Sequence, residues 1–235
     1  SIFSQTKEVI ECRAEPLGIE LIYGNPEEVE IDNTYFGAIV QYPDSLGNIT
    51  NYKSLTENCH DKDIKIAAIA DILSLVILES PGSWGADVVV GSTQRFGVPM
   101  GNGGPHAAYF SCREDYKRFI PGRIIGVSID GYGNKALRMA LQTREQHIKR
   151  AKATSHICTA QALLAVMASM YAVYHGPEGL RAIAKEIHHK TNSLKTALEN
   201  AGIPTLNSSC FDTISFKTDL QSLEKTLLKE EINIG

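Results

Sequence analysis

Residues 81–110 read P-G-S-W-G-A-D-V-V-V-G-S-T-Q-R-F-G-V-P-M-G-N-G-G-P-H-A-A-Y-F, and this stretch decides the fold. Two short runs, 87–90 and 107–110, flank a loop that contains Gly97, Pro99, Gly101, Gly103, Gly104 and Pro105. β-Branched and aromatic runs bounded by glycine and proline read as buried strands. A loop this dense in glycine lets backbone approach backbone, or backbone approach a ligand, where a Cβ would clash. Loops at strand ends are where α/β sheets carry their chemistry.

The flanking chain repeats the pattern. Towards the N-terminus, residues 64–70 (I-K-I-A-A-I-A) and 35–42 (Y-F-G-A-I-V-Q-Y) read as strands, with a helix at 52–60 after Asn51 and a compact apolar segment at 71–78. Residues 18–23 (G-I-E-L-I-Y) read as a further strand, and 6–14 as the end of a helix stopped by Pro16 and Gly18. Towards the C-terminus come a strand at 107–111, a helix at 113–119, and a strand at 123–129 closed by the turn 131–134. Two long helices follow, 158–175 and 178–201, the second amphipathic and ended by Gly202 and Pro204; then a strand at 213–216 and a helix at 220–231. Nearly continuous apolar strands alternating with helices imply a mostly parallel sheet with helices on both faces. The expected division is a large domain over 1–175, incomplete at its N-terminus, a linking helix over 176–201, and the start of a small α+β domain over 202–235. A chain that opens on the end of a helix and stops at the beginning of a strand reads as a piece of a longer protein.

Composition bounds the function. The 235 residues are 43% hydrophobic and 21% charged, with a net charge of -4, which gives no footprint for nucleic acid. The dense basic run at 144–152 is interleaved with uncharged residues and reads as a solvated helix face. Cys12, Cys59, Cys112, Cys158 and Cys210 are odd in number and scattered, as free thiols in a reducing compartment are. His188 and His189 are adjacent, so on a helix they diverge and cannot chelate together, and no position has a zinc-ligand spacing. The apolar run 158–174 falls short of the ~20 residues that cross a bilayer. No charged segment followed by an apolar one opens the chain, so neither secretion nor a membrane is expected.

The residues alone leave the chemistry open. G-N-G-G-P-H at 101–106 matches neither the phosphate-loop nor the dinucleotide fingerprint. Its backbone N–H groups could hold an anion, or its glycines could let it pack closely against a partner. Asp71, at the end of the strand 64–70, reads either as the cap of the following turn or as an acid facing a ligand. Cys112 and Cys158 have no base adjacent in sequence, and His106 reads as a buried or interface histidine.

A resemblance narrows this. A-E-P-L-G at 14–18, the stretch 82–110, P-G-R-I-I-G-V-S-I-D at 121–130 and R-M-A-L-Q-T-R-E-Q-H-I-K-R-A-K-A-T-S-H-I-C-T-A-Q at 138–161 resemble the P-protein family of the glycine cleavage system, glycine dehydrogenase (decarboxylating). With the linking segments, the resemblance covers nearly the whole chain. It implies the aminotransferase-like large domain of pyridoxal-phosphate enzymes, fold type I. In the whole protein it implies an oxidoreductase that condenses glycine with pyridoxal phosphate, releases CO2 and passes the aminomethyl group to the lipoyl arm of the H-protein.

In the catalytic half of that family the cofactor lysine stands two residues before the phenylalanine that opens the glycine loop. Here the phenylalanine is Phe96 and Gln94 stands at that place. An amide cannot form a Schiff base, and the neighbouring Arg95 stays protonated and is not nucleophilic. The resemblance therefore implies a piece of the lysine-less, N-terminal half, with no catalytic residue, no covalent cofactor and a degenerate site made of Asp71, Thr93, Gln94, Arg95, Gly103, Gly104 and His106. Its partners would be the lysine-bearing half, lipoylated H-protein and glycine. Its place would be the cytoplasm of a bacterium or the mitochondrial matrix of a eukaryote, the former favoured. Two other readings stand beside it: an autonomous pyridoxal-phosphate enzyme using Lys135, Lys149 or Lys152, which all look solvated, and an anion-binding module built on the glycine loop.

Overall fold

A computed structural model describes residues 1–26, 28–104, 106–120, 122–141, 146–153 and 159–233. Its centre is a four-stranded sheet in the order β1 (Gly37–Tyr42), β2 (Lys65–Ala70), β3 (Val88–Ser92) and β4 (Ala108–Cys112). The first three strands are parallel and β4 returns antiparallel to β3. The register sets Val40 beside Ala68 and Tyr42 beside Ala70, so one face of the sheet presents Val40, Tyr42, Ile66, Ala68, Ala70 and Val89 to a single buried cluster. The cluster closes with Cys59 of α2 (Lys53–His60) and with the aromatic trio Tyr42, Tyr52 and Trp84. Each fully buried Val or Ile side chain contributes about 1.5–3 kcal/mol, and the alanines less, so this face is a substantial source of stability. On the other face Ile39 and Phe110 remain more than two-fifths exposed.

The ends of these strands behave differently. At the amino-terminal end, the buried Asp87 accepts the N–H of Ile66 at 2.8 Å, lies 2.9 Å from His60 Nε2 and faces Arg113 Nη1 at 3.5 Å. One carboxylate thus ties α2, β2 and the segment after β4 to the start of β3. At the carboxyl-terminal end, a second cluster joins Leu73, Ala184 and Phe211, with Phe96, Ile183 and Ile187 against it.

The remaining elements are α1 (Ser4–Ala14), the hairpin β5 (Ile124–Ile129) with β6 (Lys135–Leu141), the single turn α3 (Gln146–Lys149), α4 (Ala162–Asn200) and α5 (Leu220–Lys229). α4 contains the two helices expected from the sequence. Gly176 at φ 62° and ψ -179° breaks it, and Pro177 opens the second rod, where a missing N–H costs nothing.

Three expectations need correction. Residues 18–23 form no strand: Gly18 ends the α1 region in the left-handed conformation, Ile19 N–H donates back to Ala14 O, and Tyr23 folds over α1 to bond Glu11. The alternating pattern was there, but a strand needs a ladder partner and this segment has none among the described residues. Residues 213–216 reduce to a single bridge between Thr205 and Phe216. Residues 135–141, read as no element, are β6: the Asp130 carboxylate accepts the N–H groups of Tyr132 and Asn134 and folds the turn that pairs β6 with β5. The basic run 144–152 and the helix start at 158 fall partly outside the described residues, as does Cys158.

Candidate functional site

The site grows from the carboxyl ends of β2 and β3. Asp71 follows β2 directly, and its N–H still donates to Tyr42 O, so its side chain leaves the sheet at the edge. There the carboxylate accepts the N–H groups of Leu73 at 3.3 Å and Ser74 at 3.0 Å, while Ser74 Oγ donates to Asp71 O. It therefore caps the turn that follows the strand, as one of the sequence readings had it. After β3 the chain turns tightly: Phe96 N–H donates to Thr93 O, Val98 N–H to Gln94 O, and Gln94 N–H to Ser92 Oγ. Thr93 N–H donates to Ala107 O, so the glycine loop leaves and rejoins the sheet at one point.

Because β2 and β3 are adjacent and parallel, this turn delivers Arg95 onto Asp71. Arg95 Nη1 donates to Asp71 Oδ2 at 2.8 Å and to Asp212 Oδ2 at 2.5 Å, and the guanidinium lies 5.6 Å from the ring centre of the buried Phe211. One cation between two carboxylates leaves a net charge of -1. Burial pushes Asp71 up from the ordinary aspartate range; Arg95 and the two amides pull it down without cancelling the rise, and Asp212 adds to it. Tyr109 crosses behind the site and donates to Ala70 O at 3.0 Å. Burial first, and then the charge of Asp71, push its hydroxyl up to about 12. A Cβ on Gly91 would lie 2.1 Å from Ala70 O and 2.6 Å from the Tyr109 ring, so that crossing exists only because residue 91 is glycine.

The structure brings together Asp71 and Arg95 of the expected site residues, with Gln94 half-buried beside Arg95. The Thr93 hydroxyl is buried with no hydrogen-bond partner among the described residues. Gly103 and Gly104 lie in a turn closed by Gly104 N–H on Gly101 O, in which Gly101, Asn102 and Gly103 all have positive φ; His106 is exposed. The loop runs into strand β4 and not into a helix, so it has no helix N-terminus to offer an anion. Asp212 was missed by sequence reasoning, since it lies 117 residues from Arg95 and nothing local marks it. Lys135, Lys149 and Lys152 are exposed on β6, on α3 and in the turn after α3. Among the described residues no group of three or more His, Cys, Asp and Glu side chains could hold a metal ion, and no helix is long and apolar enough to cross a membrane.

The family model for the glycine cleavage system P-protein matches residues 1–235. The chain belongs to the P-protein family. It is 58% identical over 229 residues to the glycine dehydrogenase (decarboxylating) of Christiangramia forsetii, covering 97% of this chain and 24% of that protein. It is 55% identical over 232 residues to that of Flavobacterium johnsoniae, covering 99% and 24%. The chain thus spans about a quarter of the length of the curated relatives it matches. Among solved structures it is similar to an inhibitor-bound glycine decarboxylase (P-protein) of the glycine cleavage system, with a TM-score of 0.81 and 31% identity over 99% of this chain and 55% of that one. An aspartate aminotransferase from Thermus thermophilus, with a TM-score of 0.60 at 15% identity over 93% of this chain and 61% of that one, shows the fold: aminotransferase-like, type I.

The cofactor implied for this P-protein fold, pyridoxal phosphate, needs an amine for its aldehyde, a free acid for its ring nitrogen and donors for its phosphate. The residues here do not fit it. Position 94 is an amide, Asp71 is bonded to Arg95, and Asp71, Arg95 and Asp212 together sum to a negative charge that a phosphate ester would meet unfavourably.

Proposed function

We propose that this chain is part of the non-catalytic half of a P-protein, with an interface role beside a lysine-bearing half. The whole protein would be a glycine dehydrogenase (decarboxylating) that handles glycine and hands an aminomethyl group to lipoylated H-protein. Pyridoxal phosphate, bound in the other half, would supply the electron sink for the loss of CO2. The observation that carries the reading is the pair Gln94 and Arg95: the place of an amine holds an amide, and the place of a free acid holds an ion pair.

Two further observations support it. The solved P-protein chain is covered over 55% of its length and the curated relatives over 24%, a ratio a little above two, so the relatives have room for two units of that size. On the hairpin, Ile125, Val127 and Ile129 share a face with Leu137 and Met139, and all five are exposed. An apolar sheet face of this kind is what a covering partner or domain buries. We place the boundary of the large domain at the Gly176 break, with a linking helix to residue 201 and the small domain beginning at 202. The cytoplasm is the compartment that suits free thiols such as the exposed Cys12.

The test is borohydride reduction of the full-length polypeptide followed by peptide mapping. Cofactor should be trapped on a lysine outside residues 1–235. An adduct on any side chain within them would refute the assignment.

A further inference from the structure

We propose that Arg95 is an internal cation, filling with the chain's own side chain the position against Asp71 that the ring of a pyridine cofactor would take, and that this contact bars such a cofactor independently of the amide at Gln94. The inference rests on the reading of this chain as the lysine-less half and extends it: the site is filled as well as disarmed. Asp71 stands at the carboxyl end of a parallel strand, the edge at which α/β sheets meet their ligands. A carboxylate there is what a pyridine cofactor's ring nitrogen seeks.

Three of that carboxylate's roughly four acceptor sites are taken. One oxygen accepts Leu73 N–H, and the other accepts both Ser74 N–H and Arg95 Nη1. Nor is Arg95 a loose surface side chain that a ligand would brush aside. It is held on its far side by Asp212 and set against the ring of Phe211, which is 1% exposed and packed with Leu73 and Ala184. A guanidinium remains charged at every pH the fold survives, so the arginine side of the contact has no acid-base release. It is a permanent occupant.

The test uses the full-length polypeptide with Arg95→Gly and Gln94→Lys, singly and combined. Removing the side chain leaves two carboxylates facing a gap, so millimolar guanidinium, well below denaturing concentrations, should raise the Tm of Arg95→Gly by about 2–4 °C. Sodium at equal ionic strength should not do so, and the wild type should not respond. If guanidinium has no specific effect on the variant, there is no cation position and the proposal falls. Borohydride trapping of pyridoxal phosphate at position 94 should be about tenfold higher in the combined variant than in Gln94→Lys alone. Equal trapping in the two, including none in either, would overturn the exclusion. Cofactor trapped on the wild type within residues 1–235 would refute the proposed function and leave the guanidinium result to stand by itself.

Discussion

Asp87 and Asp71 sit at opposite ends of the parallel strands, and each carboxylate holds an arginine and at least one backbone N–H, yet they serve different ends. Asp87 is buried at the amino-terminal edge, where it braces α2, β2 and the segment after β4 through His60, Ile66 and Arg113. Asp71 lies at the carboxyl-terminal edge, partly open, and its arginine comes from the turn after the neighbouring strand, at the edge where α/β sheets meet their ligands. The same ionic motif is scaffold at one edge and a filled ligand position at the other. What separates them is location on the sheet, not residue type.

The contrast can be broken at its stronger end first. Asp87→Ala leaves the Ile66 N–H buried and unpaired and removes the partner of His60, so it should cost about 3–5 kcal/mol, read as a fall in the urea midpoint of the full-length protein. At the other edge Arg95→Ala should cost about 1 kcal/mol, because the guanidinium and both carboxylates retain some water. Equal losses at the two edges would erase the distinction. Tyr109→Phe removes one bond to Ala70 O behind the filled site and should also cost about 1 kcal/mol. In the wild type its hydroxyl should stay protonated until about pH 12, followed by ultraviolet titration.

The smallest effect is a slope with pH. Asp71 is raised in the fold, so its contribution is full below the ordinary aspartate range and is lost as pH rises through its folded value. Stability relative to Asp71→Asn should therefore move against the wild type as pH rises above the ordinary aspartate range. A change in the opposite direction would mean that Arg95 outweighs burial.

The parallel core was legible because Val40, Ile66, Ala68 and Val89 lie in short apolar runs punctuated by glycine, proline and polar turns, and such runs have few other folds. β6 was not, since K-A-L-R-M-A-L is composed of helix formers and becomes a strand only through pairing with β5. Residues 18–23 failed in the opposite way, with strand composition and no partner. In the site, Gln94 and Asp71 were legible one residue at a time. The use of Arg95 was legible only as a chemical veto; that it bonds Asp71 follows from two strands lying side by side. Asp212 could come only from the tertiary fold, through the burial of Phe211 beside it.

The exposed face of the β5–β6 ribbon has a practical consequence. A lone two-stranded ribbon is marginal in water, and one whose outer face is Ile125, Val127, Ile129, Leu137 and Met139 offers neighbouring molecules a surface to adhere to. Heating these 235 residues by themselves would report the onset of clumping, with an apparent midpoint that drifts with scan rate and concentration, and so would measure colloidal behaviour in place of the fold's own free energy.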